Sequence, residues 1–162
     1  MAVMATTQRI KGFTLIELVM VIVVLSVLAA MVGMRNPGTG INLSAQAEQL
    51  ASDIRYTQSL AMSRGQRYRI NFTATSYQIT DMSGGPQMHP GTGTTAAVLL
   101  TPAVLSGYNP PLTNDYVVFD SLGVPYTAPT TALAAVATLT LTDSGETATL
   151  RVVPQTGRVQ IP

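Results

Sequence analysis

The 162-residue chain offers few side chains for nucleophilic or metal chemistry. It contains one histidine, His89, and no cysteine. The missing cysteines exclude disulfides, thiolate catalysis and cysteine-ligated zinc. A serine–histidine–aspartate triad would need His89 as its base, and a metal site would lack a second nitrogen ligand. Because His89 lies in a segment rich in glycine and proline, we expect a solvated loop residue without a catalytic or metal-binding role.

Carboxylates are the other candidates, since paired carboxylates can act as general acid and base. Five of them stand beside predicted turns or strand ends, where capping and turn hydrogen bonds explain them: Asp81, Asp115, Asp120, Asp143 and Glu146. Loop oxygens suffice for calcium, so calcium stays open, although the sequence has no EF-hand spacing. The loose G-x-G-x-x-A pattern at residues 91–96 lacks the strand and helix of a dinucleotide site. We predict no enzyme, no metal and no cofactor.

One further carboxylate, Glu17, has an unusual setting. Only 10% of the residues are charged, against about 25% in soluble domains, and residues 13–34 contain Glu17 as their one ionisable side chain. As a helix of about 1.5 Å per residue, this segment would span roughly 33 Å, enough for a hydrocarbon core of about 30 Å. A cleaved secretory signal, with an apolar region of about 7 to 15 residues, and a buried core helix are the alternatives. The length favours a lasting membrane helix.

The charges around this segment predict its orientation. Arg9 and Lys11 precede it, and residues 1–12 contain no acid. The positive-inside rule therefore places residues 1–12 in the cytoplasm and the rest of the chain beyond the membrane. A carboxylate inside a membrane helix costs about 2.5 to 3.5 kcal/mol and is tolerated mainly where it is paired or functional. Glu17 then needs a cationic partner, or it lies close enough to the interface to be solvated.

Residues 11–18 (KGFTLIEL) resemble the class III signal of type IV pilins and of the pseudopilins of type II secretion. A basic leader ends at Gly12, Phe13 follows, and Glu17 is the fifth residue counted from Phe13. The resemblance implies that prepilin peptidase cleaves between Gly12 and Phe13 and methylates the new amine of Phe13. It also implies that Glu17 meets the terminal amine of a neighbouring subunit. The implied partners are other pilin or pseudopilin subunits, the inner-membrane assembly platform and the membrane itself.

A second helical segment follows a break. Residues 35–40 (RNPGTG) contain a proline and two glycines, which end or loosen a helix. Apolar residues at spacings of three, four and seven then form one stripe within residues 42–64: Leu43, Ala47, Leu50, Ile54 and Ala61. Gly65 is a typical helix stop. If the two segments are coaxial, they predict about 50 residues of nearly continuous helix.

The remaining sequence predicts antiparallel strands. Tyr68, Ile70 and Phe72 alternate with polar residues, as in a half-buried strand. Further strands are predicted at 77–79, 97–101, 116–119, 136–142, 147–153 and 158–161. Residues 143–146 (DSGE) supply a hairpin turn. The predicted fold is α+β, with a long N-terminal helix packed on a C-terminal antiparallel β-sheet domain.

Three later segments carry a second resemblance, covering roughly residues 43–161. Residues 53–61 (DIRYTQSLA), 117–125 (VVFDSLGVP) and 153–159 (VPQTGRV) are similar to the GspH and FimT group of minor pilins and pseudopilins, including its mannose-sensitive haemagglutinin minor pilins. The resemblance implies a structural subunit of a type IV pilus or a type II secretion pseudopilus. Which of the two systems it serves stays open.

Together the two resemblances divide the chain into four parts. These are a leader peptide at 1–12, a transmembrane or filament-core helix at 13–34, an amphipathic second half at 35–65 and a globular β-sheet domain at 66–162. Because loops on a rigid scaffold carry recognition, residues 83–95 and 108–114 are the predicted partner-specific surfaces.

DNA binding is the alternative function. FimT-like proteins serve natural transformation in some bacteria, and a C-terminal Gly-Arg-x-Arg motif is associated with that role. Here Gly157 and Arg158 match this motif, whereas Gln160 replaces its second arginine. Arg64, Arg67 and Arg69 would form a second basic patch on the outer face of the first strand. Such charges also serve solubility and edge protection, so this patch has two readings.

Overall fold

The structure, a computed structural model, describes residues 15–33, 38–109, 112 and 114–162. The chain forms two compact units, Met1–Pro37 and Gly38–Pro162. The described part of the first unit is helix α1, Leu15–Gly33, and the second unit opens with helix α2, Gly38–Arg64. Because the predicted helix 13–34 is described only from Leu15 to Gly33, its outermost residues lie outside the described ranges.

In the described residues, ten strands follow α2. They are β1 Tyr68–Phe72, β2 Ser76–Asp81, β3 Val98–Leu99, β4 Val104–Asn109, β5 Tyr116–Phe119, β6 Pro125–Ala128, β7 Thr131–Ala132, β8 Ala137–Asp143, β9 Glu146–Val152 and β10 Val159–Gln160. One sheet has the order β3-β2-β1-β5-β6-β7, and the other has the order β10-β9-β8-β4. Neighbouring strands in both sheets are antiparallel. The predicted α+β fold is confirmed.

Helix α1 is apolar on every face, and its described side chains from Leu15 to Ser26 are all exposed. The exposed fraction is 82% at Leu15 and 58% at Leu25. A helix that is apolar on every face is typically surrounded on all sides by protein or by lipid. Within the described ranges, no helix reaches the length and hydropathy required to cross a membrane.

Helix α2 buries the predicted apolar stripe. Its members are 3% exposed or less and face strands of both sheets, namely β1, β5, β8, β9 and β10. The helix ends at Arg64 as predicted, because Gly65 adopts a left-handed φ of 64° and Gln66 donates its N–H to the carbonyl of Ala61 at 3.2 Å.

The start of α2 differs from the prediction, because the helix begins at Gly38 and not near residue 42. The amides of a first helical turn need no intrahelical acceptor. Glycine keeps its amide N–H and costs a helix only conformational entropy, roughly 0.5 to 1 kcal/mol each for Gly38 and Gly40, so the sequence 38–41 can join the helix.

The predicted alternation in β1 and the predicted hairpin are both confirmed. In β1, Tyr68, Ile70 and Phe72 are buried while the residues between them are half-buried. Strands β8 and β9 pair Leu139 with Leu150, both fully buried. Local patterns of period two suffice for these elements, since one face of each strand must be buried.

Strands β4, β6 and β7 were not predicted, and the strands form two sheets. Strand β4 (VLSGYN) lacks a regular alternation of apolar and polar residues. Its pairing with β8 also shifts register between Leu105 and Gly107. It also includes Tyr108 and Asn109, which fall in the segment predicted as a loop. These short strands depend on partners supplied by the fold, so a local pattern does not reveal them.

Candidate functional site

The predicted cleavage and methylation residues, Gly12 and Phe13, lie outside the described residues. Glu17, the predicted assembly residue, lies in the first turn of α1. A carboxylate there interacts favourably with the positive end of the helix dipole. Its neighbours Ile16 and Leu18 are 68% and 56% exposed. The N-terminal turn of α1 therefore presents a carboxylate within an exposed apolar surface, a setting in which a cation would be bound strongly once water is excluded.

The three arginines proposed as a DNA-binding patch each have a partner within their own unit. Each guanidinium lies over a tyrosine ring, with the Arg64 group 5.8 Å from the Tyr68 centroid, Arg67 4.7 Å from Tyr126 and Arg69 5.3 Å from Tyr116. The three arginines also donate hydrogen bonds, to Gln87 Oε1, to the Pro129 carbonyl and to Thr80 Oγ1, respectively. Since β1 lies between β2 and β5, its arginine, Arg69, does not protect a sheet edge, and the edge-protection part of that reading was wrong; the solubility part stays a prediction.

Arg158 lies elsewhere, beside the second sheet. It is exposed and lines a groove of about 400 Å³ together with Arg55, Arg151 and Glu48. Arg158 therefore does not lie with the three arginines beside the first sheet. It lies with Arg55 and Arg151, which the sequence alone did not indicate. One available signal was Arg55, which stands within the helix segment that carries the family resemblance.

His89 is buried, which corrects the prediction of a solvated loop residue. It is 3% exposed, and its Nε2 lies 2.6 Å from Oδ2 of Asp53. Tyr77 donates its hydroxyl to the same oxygen at 2.5 Å. The loop 83–95 crosses α2 at Asp53, which is buried beside the apolar stripe. His89 is buried there as well, because a buried carboxylate is costly without a polar partner. Asp53, three residues after the buried Leu50, was the signal for this site.

The hydrogen bonds of His89 define its tautomer. Its Nδ1 accepts the backbone N–H groups of Gly91 at 3.1 Å and Thr92 at 3.2 Å, so Nδ1 carries no proton and Nε2 faces Asp53. Burial raises the pKa of the Tyr77 phenol far above its ordinary value, and the hydrogen bond and charge of Asp53 raise it further. The cluster therefore anchors the loop 83–95 to α2, with Nδ1 hydrogen-bonded to backbone amides and Nε2 in close contact with Asp53.

Two of the turn carboxylates perform the predicted structural role. Asp81 Oδ1 accepts the N–H groups of Ser83 and Gly85, both at 2.8 Å. Asp120 Oδ1 accepts those of Leu122 and Val124, both at 2.9 Å. In the described part of the chain, no group of three histidine, aspartate or glutamate side chains is placed to hold a metal ion.

Gln58 joins the segments that carried the second resemblance. Its Nε2 donates to the carbonyls of Gly123 at 2.8 Å and Thr156 at 2.7 Å. Residues 53–61, 117–125 and 153–159 are far apart in sequence but meet at this amide. An α2 helix that holds the turns of both sheets, with a separate apolar helix bearing Glu17, defines the class of pilin-like filament subunits.

The comparisons with known proteins agree with this class. Residues 7–33 match the prokaryotic N-terminal methylation motif, and residues 46–157 match the family of the type II transport protein GspH. The second match covers more than half of the chain, so the chain belongs to the GspH family. It is a minor pilin or pseudopilin of type IV pilus or type II secretion systems, and these families are structural subunits, not enzymes.

Solved structures show the same fold. Two crystal forms of the type IV minor pilin FimU from Pseudomonas aeruginosa (strain PAO1) match with TM-scores of 0.54 and 0.51, each at 18% identity. Each match covers 74% of this chain, and 92% and 87% of the FimU chains, respectively. The search of curated proteins gave no match.

Proposed function

We propose that the chain is a membrane-anchored minor pilin or pseudopilin that prepilin peptidase cleaves after Gly12 and methylates at Phe13. Helix α1 then packs among like helices in a filament. The observation that carries this proposal is the presence, in one chain, of the N-terminal methylation motif at 7–33 and the GspH match at 46–157. Before assembly the chain is a single-pass protein of the bacterial inner membrane, with its N-terminus cytoplasmic and its globular domain periplasmic.

Glu17 directs assembly in this proposal. Cleavage creates an amine at Phe13, and an amine of one subunit can neutralise the Glu17 carboxylate of the next when both leave water. Removing one member of a buried ion pair leaves the other unpaired, at a cost of about 3 to 5 kcal/mol. The pair would therefore favour one axial register between neighbouring α1 helices.

The globular unit would contact neighbouring subunits through its loops. The loop 83–95 supports this role because His89 anchors it while its neighbour Met88 stays 62% exposed. A rigid loop with exposed apolar side chains loses little conformational entropy on binding. In the second segment predicted as a loop, 108–114, Tyr108 and Asn109 belong to β4 instead.

The Glu17→Ala substitution tests the assembly role. With prepilin peptidase and the assembly machinery of its host, we expect the variant to be cleaved normally, giving a chain that begins at methylated Phe13, but to be at least about tenfold depleted from sheared filaments, because its partner amine is left unpaired. Mass spectrometry measures cleavage, and quantitative immunoblotting measures incorporation.

The matched control is Glu146→Ala, which removes an exposed glutamate from the turn end of β9. We expect this control to be cleaved and incorporated like the wild type. Normal incorporation of Glu17→Ala would refute the pairing role, whereas absence of the wild type from filaments would refute the proposed function.

A DNA-binding minor pilin remains the alternative proposal, with weaker support. Arg158 is exposed beside two further arginines, which favours an anionic ligand. Arg64, Arg67 and Arg69 already have partners within the domain. Binding of duplex DNA that weakens steeply with salt would support this alternative.

A further inference from the structure

The groove beside β10 gathers half of the arginines in the globular unit. Residues 38–162 contain six arginines, and three of them line this groove: Arg55, Arg151 and Arg158. All three are exposed. We name this surface, with Glu48 included, the arginine groove.

Helix α2 forms one wall of the groove, and strands β9 and β10 form the other. Glu48 and Arg55 are seven residues apart and therefore lie on one face of α2. Opposite them, Arg151 of β9 pairs with Gln160 of β10, and Arg158 directly precedes β10, which is an edge strand. Arg55 donates Nη2 to the Val159 carbonyl at 3.1 Å, which fixes the helix against this edge and holds the walls in place.

The guanidinium groups of the groove are not neutralised within the unit. In the described ranges, none of the three has a carboxylate oxygen within 4.0 Å. Arg55 uses a donor on Val159, and the other two arginines have no hydrogen bond from their side chains to another described residue. Planar guanidinium groups bind carboxylates or phosphates through paired hydrogen bonds. The groove therefore presents exposed anion-binding donors, of which those of Arg55 are held by the Val159 carbonyl.

We propose that the arginine groove binds an acidic segment of a neighbouring pilin-like subunit, whose carboxylates contact Arg151 and Arg158. This inference rests on the proposed function, because it names the partner of the assembled subunit. Glu48 repels a continuous polyanion but tolerates a peptide in which acidic and neutral residues alternate. The unit as a whole contains seven carboxylates against six arginines, and the other basic patch lies beside the other sheet. These features favour a carboxylate-bearing protein over a nucleic acid.

Binding by the full chain in detergent tests the inference. The probes are a fluorescent heptapeptide of alternating aspartate and glycine, the same peptide with asparagine, and a 20-base-pair DNA duplex, followed by anisotropy. We expect the aspartate peptide alone to bind. The Arg151→Ala/Arg158→Ala double variant should weaken it by at least about fivefold, from two partly exposed ion pairs. The control Arg64→Ala/Arg67→Ala removes the same charge from a site beside the other sheet and should change affinity less than about twofold.

A second variant, Arg151→Lys/Arg158→Lys, keeps the charge and removes only the paired donors. It should bind with intermediate affinity, and it replaces the alanine variant if that variant does not fold. Equal weakening in the groove and control variants, no binding of the aspartate peptide, or tighter binding of DNA that depends on the groove would each overturn the inference.

Incorporation into filaments separates this inference from the proposed function. A wild-type chain that never enters filaments overturns the proposed function. A wild type that enters filaments, together with a groove variant that binds the aspartate peptide normally, overturns only the assignment of the groove. Loss of both peptide binding and filament incorporation in the groove variant alone supports both.

Discussion

At the scale of single residues, Asp53 illustrates how a buried charge is accommodated. It is 3% exposed and lies within contact distance of Tyr77 and His89. An unpaired carboxylate in such a place would be costly, whereas one that accepts a hydrogen bond from a hydroxyl and contacts an imidazole is tolerated. The three side chains come from α2, β2 and the loop 83–95, so this cluster fixes three elements at once.

Alkaline unfolding tests the Tyr77 contact. Because burial and Asp53 raise the pKa of folded Tyr77 above its ordinary value of 10.0, the stabilisation is complete below pH 10 and is lost as the pH rises beyond it. We expect the free energy of unfolding of the wild type to fall above pH 10 more steeply than that of Tyr77→Phe, by up to about 1.4 kcal/mol per pH unit. Urea denaturation at a series of pH values measures both slopes.

Burial and Asp115 raise the pKa of Tyr108 to about 12, so Tyr108 also lowers the free energy of unfolding as the pH rises above 10. It does so equally in the wild type and in Tyr77→Phe. It therefore cancels from the comparison. Tyr56→Phe, which removes a hydroxyl 3.5 Å from the Met88 carbonyl, is the control for loss of a tyrosine hydroxyl as such. Parallel slopes for the wild type and Tyr77→Phe would contradict the assignment.

At the scale of elements, α2 organises the globular unit through polar contacts as well as through its apolar stripe. Gln46 donates to the Thr101 carbonyl at 3.0 Å, Arg55 reaches Val159, and Gln58 reaches the turns at Gly123 and Thr156. Each hydrogen bond satisfies a backbone carbonyl in a turn, in a loop or on an edge strand. Without this bond, the carbonyl would need a water molecule as its donor. One helix thus positions loops from both sheets.

Substitution of Gly157 tests this packing. Gly157 has a φ of 63°, and an added Cβ would lie 2.5 Å from Gln58 Nε2 and 2.7 Å from the Gly123 carbonyl oxygen. We expect Gly157→Ala to lower the free energy of unfolding by about 2 to 4 kcal/mol, from backbone strain and overpacking together. Urea denaturation at neutral pH measures the loss.

The chain offers a matched control at Gly65, whose φ of 64° is nearly the same but whose added Cβ would meet nothing within 4 Å. Gly65→Ala should cost only the backbone strain, about 1 to 2 kcal/mol. Equal losses at the two positions would show that contact with Gln58 contributes nothing.

At the scale of the whole molecule, the described apolar core and the exposed apolar helix α1 belong to different units. In the described ranges, every buried apolar residue lies at or after Leu43, within the unit Gly38–Pro162. The described side chains of α1 are exposed instead. In the proposed function, this division would let α1 exchange lipid for protein surroundings without altering the core of the globular unit.

Removal of residues 1–37 tests this division. We expect residues 38–162 alone to unfold in one cooperative transition, because they hold the described apolar core and both sheets. Circular dichroism during thermal unfolding measures the transition, and Leu139→Ala in the same fragment, which empties a fully buried site, should lower its stability by about 2 to 5 kcal/mol. A fragment without a cooperative transition would contradict the independence of this unit.

The amino-acid sequence alone determined the features that depend on neighbours along the chain. The apolar segment with Glu17, the stripe and glycine stop of α2, the alternation of β1 and the β8–β9 hairpin each follow from a period or a turn residue. The family motifs are likewise short and contiguous, so the order of residues within each of them is enough to recognise it.

Tertiary structure decided what depends on residues far apart in sequence. His89 is buried only because its loop crosses Asp53, 36 positions earlier in the chain, and the arginine groove exists only because Arg55 reaches Val159, 104 positions later. The division into two sheets depends on β4 pairing with β8. No local pattern encodes such contacts, since burial and charge at these positions are set by whichever segment the folded chain brings against them.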